Sequence, residues 1–285
     1  MPALVLPVRT YNTYPEVGKA WVETNGHAKE AVMALPVDQT ALVLVDVWDF
    51  HINQSNMMRS GHITTTCIRP VVEEARRIGL TIVHAPDLSV SRRYPKYRVY
   101  AYDDDDDSIS VGTYPRWGYL RWDDPSVDSL AWPPKEFLCR RGDYEQYHRP
   151  YNRVLDQLGM RSTTRWIHPD ISIADDDVVI GRGIELQRLC EDRKILHLIY
   201  AGFATNLCLQ FKDYGVRAFA DKGYNIVLLR DCTTAVESHD TVVNEGGTWQ
   251  AIRELEAEVL ATTESRDFLL ASRGINSAPS QSRPT

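Results

Sequence analysis

Ile195-Leu196-His197-Leu198-Ile199-Tyr200-Ala201-Gly202-Phe203-Ala204-Thr205-Asn206-Leu207-Cys208 is the stretch that decides how this chain is read. It holds an apolar run, a glycine turn, a Thr-Asn pair suited to capping a helix, and a cysteine in the first helical turn. A thiol at that point sits at the positive end of a helix, which favours its ionised form. Far upstream, Leu42-Val43-Leu44-Val45-Asp46 is a second apolar strand, and it ends in a carboxylate. Two neighbouring parallel strands would bring Asp46 and Cys208 to one edge of a sheet.

Strand and helix signals alternate on both sides of that stretch. A helix is expected over 65–79, with Val71, Val72 and Ala75 on one face and Gly79 as its C-terminal cap. Strands are expected at 80–85, 177–180, 195–201, 225–229 and 259–262, and helices at 206–221 and 245–257. Leu207, Phe211, Tyr214 and Ala218 carry the helical spacing of the former. Six strands alternating with helices predict an α/β fold, a doubly wound parallel sheet with helices on both faces. The interval 88–165 breaks the rhythm and holds nine of the fourteen tyrosines together with Trp117, Trp122 and Trp132. A long aromatic-rich insertion of this kind reads as a lid, a binding loop or a subunit contact. Residues 1–38 read as an N-terminal arm packing on the domain or on a partner subunit. One domain is expected over 1–271, with a disordered tail over 272–285.

The chain has 285 residues, 43% hydrophobic and 25% charged, with a formal net charge of -7. That is the composition of a globular protein with a substantial core, and it lacks the basic balance of a nucleic-acid binder. No apolar run approaches the roughly 18 residues of a membrane span. The first residues lack a basic leader followed by a long apolar stretch. Five scattered cysteines (Cys67, Cys139, Cys190, Cys208 and Cys232) fit reduced thiols better than a disulfide framework, so a cytoplasmic location is expected.

Three segments resemble the isochorismatase-like cysteine hydrolases, over roughly 40–88 and 170–265. Leu42-Val43-Leu44-Val45-Asp46-Val47-Trp48-Asp49-Phe50 is similar to the family's first strand with its catalytic Asp. Ala201-Gly202-Phe203-Ala204-Thr205-Asn206-Leu207-Cys208 is similar to its nucleophile turn. Leu229-Arg230-Asp231-Cys232-Thr233-Thr234-Ala235 is similar to the segment after its fifth strand. The resemblance implies a six-stranded sheet in order 3-2-1-4-5-6, whose first and fourth strands meet at the switch point where ligands bind. It implies Asp46 as base, Cys208 as nucleophile, and an oxyanion site made by the backbone N–H groups of Ala204 and Cys208. It also implies a cis peptide at Phe203-Ala204, a substrate pocket drawing on Trp48, Phe50 and Thr205, no cofactor, and assembly as a dimer or tetramer. The reaction implied is hydrolysis of a C–N bond in a small amide through a thioester. A non-covalent attack on a vinyl ether, with Asp46 as general acid, is the alternative within the family.

The family's third catalytic group, a Lys after the third strand, has no counterpart at Val178-Val179-Ile180-Gly181-Arg182-Gly183; the register puts Gly181 there, with Arg182 beside it. Arg182 is therefore a candidate for the missing charge, although it shuttles protons poorly. His148 from the insertion is another candidate, and loss of hydrolysis with retained binding is a third reading. Cys67, Cys139, Cys190 and Cys232 read as core thiols. The acidic run 103–107 lacks the alternating ligands and glycine of a calcium loop and reads as solvated. Asp49, His51, His62 and His84 raise the question of a metal. Asp49-Phe50-His51 stands too early for the family's metal motif, and no metal is expected.

Overall fold

The computed structural model describes residues 2–102, 157–159 and 164–276. The insertion from 103 onward, the acidic run 103–107, Cys139, His148 and the tail from 277 fall almost entirely outside the described residues. The chain divides into two compact units, Met1–Tyr114 with Trp166–Thr285, and Pro115–Arg165. The fold described below is that of the first.

Its strands are β1 (Ala3–Asn12), β2 (His27–Pro36), β3 (Thr40–Val45), β4 (Thr81–Ala85), β5 (Val178–Val179), β6 (His197–Gly202), β7 (Asn225–Leu229) and β8 (Ala261–Thr263). They form one sheet in the order β2-β1-β8-β7-β6-β3-β4-β5. From β5 to β8 this is the expected parallel order, with β3 beside β6 and Val45 opposite Gly202. The count is eight rather than six because residues 3–36 form a hairpin whose β1 pairs antiparallel with β8 through Arg9 and Thr262. Its period-2 burial, with Leu4, Leu6 and Val8 inward, is the strand signal that a reading of 1–38 as an arm misses.

Every residue of β3 is buried, and alternate side chains serve opposite faces. Leu42 and Leu44 join a core with Val71, Val72, Ala75 and Ile78 of helix α2 (Arg69–Ile78). Ala41, Val43 and Val45 join a second core on the other face, with Leu186 and Leu189 among its members. A Leu or Val so buried contributes about 1.5–3 kcal/mol, so a strand covered on both sides is locked in register, and its terminal Asp46 is placed with it.

The remaining helices are α1 (Gln54–Ile63), α3 (Leu88–Ser91), α4 (Gly183–Arg193), α5 (Cys208–Phe211), α6 (Val216–Ala220), α7 (Gly246–Glu258) and α8 (Ser265–Ser272). Helix α1 runs through a π-helical turn (Thr64–Ile68) into α2, so helical backbone begins eleven residues before the expected 65. The start signal is Asn53, whose Oδ1 accepts from Asn56 N at 3.0 Å. The stop is Gly79, at φ 90°. The expected single helix over 206–221 is instead α5 and α6, separated at Lys212, where the backbone is extended.

Candidate active site

Asp46 and Cys208 emerge at the carboxyl ends of β3 and β6. Gly202 makes the junction: at φ 116° any Cβ would lie 2.0 Å from the Val45 carbonyl oxygen. Phe203 N donates to that oxygen at 2.8 Å, which ties the turn leading to Cys208 to the Asp46 strand. The Phe203–Ala204 peptide is cis. Asp46 itself holds φ 48° and Asp87, just past β4, holds φ 81°. Non-glycine residues adopt positive φ at a cost, and here both positions carry carboxylates at neighbouring strand ends.

A cavity of about 50 Å³ opens at this edge, lined among others by Asp46, Cys208, Trp48, Phe50, His51 and Asn56. Phe203, Ala204, Leu207 and Val236 complete much of its wall. Trp48 is held by its indole N–H, which donates to Pro86 O at 2.7 Å. Thr205 is not in the wall. It is buried behind the turn, its hydroxyl 2.6 Å from that of Thr233 and its N–H donating to Thr234 O, so its role is to brace the turn. Nor do Thr205 and Asn206 cap α5, whose N-cap is Leu207 without a side-chain bond; Asn206 instead clamps the backbone of Val236 through both ends of its amide. The amides of Ala204 and Cys208 donate to no group among the described residues, and both residues line the cavity.

Asp46 Oδ1 accepts from the Tyr214 hydroxyl at 3.2 Å, while Oδ2 is buried without a well-formed hydrogen bond. The Cys208 thiol, a weak donor, lies beside the carboxyl and favours its ionised form. Burial pushes Asp46 up to about 7; Lys212 opposes the rise and Asp87 adds to it. Burial and the adjacent Asp46 push the Cys208 thiol up, again against Lys212. That is the opposite of the shift a helix N-terminus would give, and α5, a single turn, carries little dipole to oppose it.

The positive charge near the pair comes from Lys212, not Arg182. Arg182 is buried at the start of α4, its Nε 3.8 Å from Glu185, and it acts on Asp213. It does not line the cavity. Lys212 donates to Asp87 Oδ2 and stands 6.0 Å over the Tyr214 ring. Burial alone would raise Asp87; Lys212 and Ser89 hold it below the usual carboxylate range. A signal for Lys212 was present in its spacing, four residues after Cys208 in the expected helix. Of the other candidates, Asp49 accepts from Trp166 N at 2.8 Å, His84 lies 2.9 Å from Asp177, and His62 is exposed. Among the described residues no group of three or more His, Cys, Asp or Glu gathers to hold a metal. No helix among them is long and apolar enough to cross a membrane.

A family model described as the isochorismatase domain matches residues 142–267. The matched segment includes Cys208 and Lys212, and the pairing of β3 with β6 brings Asp46 to it. Solved structures similar to the chain include a cysteine hydrolase from Pseudomonas syringae pv. phaseolicola, at 14% identity and TM-score 0.46, covering 85% of this chain and 95% of that one. An isochorismatase family protein from Desulfovibrio vulgaris gives 15% identity and 0.46, over 82% and 98%. A nicotinamidase from Bacillus subtilis gives 13% and 0.38, over 79% and 99%. A comparison with curated protein sequences gives no match.

Proposed function

We propose that this protein is a hydrolase of the isochorismatase type that cleaves a C–N bond of a small amide through a cysteine thioester. One observation carries the reading: a thiol and a carboxyl near pKa 7 share a cavity wall with two backbone N–H groups that donate to no group among the described residues. Asp46 takes the Cys208 proton as sulfur attacks the carbonyl carbon. The carbonyl π electrons move to oxygen, where the Ala204 and Cys208 amides hold the charge. Collapse expels the amine, which leaves with the proton from Asp46. Water then attacks the thioester, Asp46 accepts its proton, and the acid product departs as the thiol is restored. A carboxyl poised near neutrality suits both the accepting and the donating step.

The test is ammonia or amine release from a panel of small carboxamides by the wild type and by Cys208→Ala, with mass spectrometry of the wild-type protein for an acyl adduct. Turnover that survives Cys208→Ala excludes the covalent route. It would favour the second reading, a vinyl-ether hydrolase with Asp46 as general acid, which the raised Asp46 also supports.

A further inference from the structure

We propose that Lys212, anchored by Asp87, is the positioning residue that fixes a positive charge beside the Cys208–Asp46 pair, at a site where the β5–α4 turn has no room to supply one. The proposal deepens the hydrolase reading and rests on the Cys208–Asp46 pair it invokes.

Position 181 is closed. A Cβ on Gly181 would meet Ser91 Oγ at 2.4 Å and Leu88 Cα at 2.8 Å, so no side chain enters the site from there. Its neighbour Arg182 is drawn to Glu185, and Glu185 is further held by Arg98 at 2.6 Å and by Gly181 N at 2.9 Å. Asp213, next to Lys212, accepts from Gly183 N at 2.6 Å and pins the same turn against the nucleophile segment.

Lys212 reaches the pair because α5 stops there. The extended backbone at Lys212 aims its chain at Asp87 instead of continuing a helix, and Gly215 N closes the turn onto Lys212 O at 2.8 Å. The ammonium then has Asp87 from the end of β4, the Tyr214 ring, and through the Tyr214 hydroxyl the Asp46 carboxyl from the end of β3. The charged and titratable groups around it are therefore Asp46, Asp87, Cys208, Asp213 and Tyr214, with Arg182 behind Asp213. A cation here favours the ionised form of either member of the pair. When the Cys208 proton passes to Asp46, one negative charge moves from oxygen to sulfur or back. Lys212 keeps its own proton and stabilises the charge at either end.

The experiment is alkylation of Cys208 by iodoacetamide between pH 6 and 9, read by peptide mass spectrometry on the full chain, which requires no substrate. Thiolate is the reacting form, so loss of the cation in Lys212→Gln should slow Cys208 labelling about tenfold across the range where the thiol is mostly protonated. Lys212→Arg, which keeps the charge, should stay within about threefold of the wild type. Damage to the fold works the other way, since it exposes the thiol and speeds labelling. Wild-type or faster labelling in a folded Lys212→Gln overturns the proposal. Lys212→Met, which keeps the packing of the stem, is the second variant. Failure of both to fold would make the cation a structural requirement and overturn the proposal equally. Loss of the hydrolase reading is a separate outcome, seen as turnover surviving Cys208→Ala while the labelling ratios hold.

Discussion

Replacing Asp46 by Asn should change how stability depends on pH, and the size of the change follows from the site. The carboxyl is raised from 3.8 to about 7, chiefly by burial. Below pH 4 it is neutral in both the folded and unfolded chain and costs nothing. As pH rises toward 7 the unfolded chain gives up the proton while the folded one keeps it, so the folded state loses about 1.4 kcal/mol per pH unit. Above 7 both forms are ionised and the full cost stands. Between pH 5 and pH 8 the wild type should therefore lose about 2.5 kcal/mol relative to Asp46→Asn, or roughly 5 °C in Tm for a chain of this size. Asp213, raised to about 6 mainly by burial, drifts in the same direction but is common to both proteins and cancels. Urea melts followed by tryptophan fluorescence at pH 5, 6, 7 and 8 measure the difference. A stability gap that stays constant across this range would refute the burial argument and, with it, the picture of Asp46 as a proton acceptor tuned near neutrality.

Other outcomes follow from single contacts. Thr205→Val leaves the buried Thr233 hydroxyl without its 2.6 Å partner, and should cost about 1–3 kcal/mol in a denaturant melt; an unmoved midpoint would remove its bracing role. Gly181→Ala drives a methyl into Ser91 and Leu88, and should cost about 1–3 kcal/mol, read as a lowered Tm. Arg182→Gln should weaken the fold through Glu185 yet leave Cys208 labelling within about twofold, because its charge faces Glu185 and Asp213; a large drop in labelling would return Arg182 to the site. For any amide the wild type turns over, kcat/KM should rise with pH along a limb centred near 7, the value held by Asp46. A limb centred near 4 would assign the ionisation to another group.

The parallel core was legible because its strands are short apolar runs bounded by turn residues, and burial on both faces leaves such runs no other use. Asp46 and Cys208 were legible as the residues that end or follow two of them. What escaped were features set by tertiary closeness. The hairpin's period of two is brief on β1 and fades on β2, whose outer side chains are mostly exposed. The helix predicted over 206–221 scores well on spacing, but a Cβ at Gly215 would lie 2.8–2.9 Å from the carbonyl oxygens of Leu209, Gln210 and Lys212, and the chain turns there. That turn is what carries Lys212 to Asp87. Thr205 was assigned to the pocket by its place in the motif, whereas the turn rotates its side chain toward Thr233.

The terminal hairpin has a bearing on assembly that its place at the sheet edge conceals. Arg9 Nε donates to Glu256 across 247 residues of sequence, and β1 also packs on α7, α8 and β8. β1 thus docks on elements some 250 residues further along the sequence. Until β8 emerges, Leu4, Leu6 and Val8 have no sheet to cover, and such exposed strands invite aggregation. Closing so long a loop is slow, so removal of β8 should leave both β1 and β7 without a strand partner on that side.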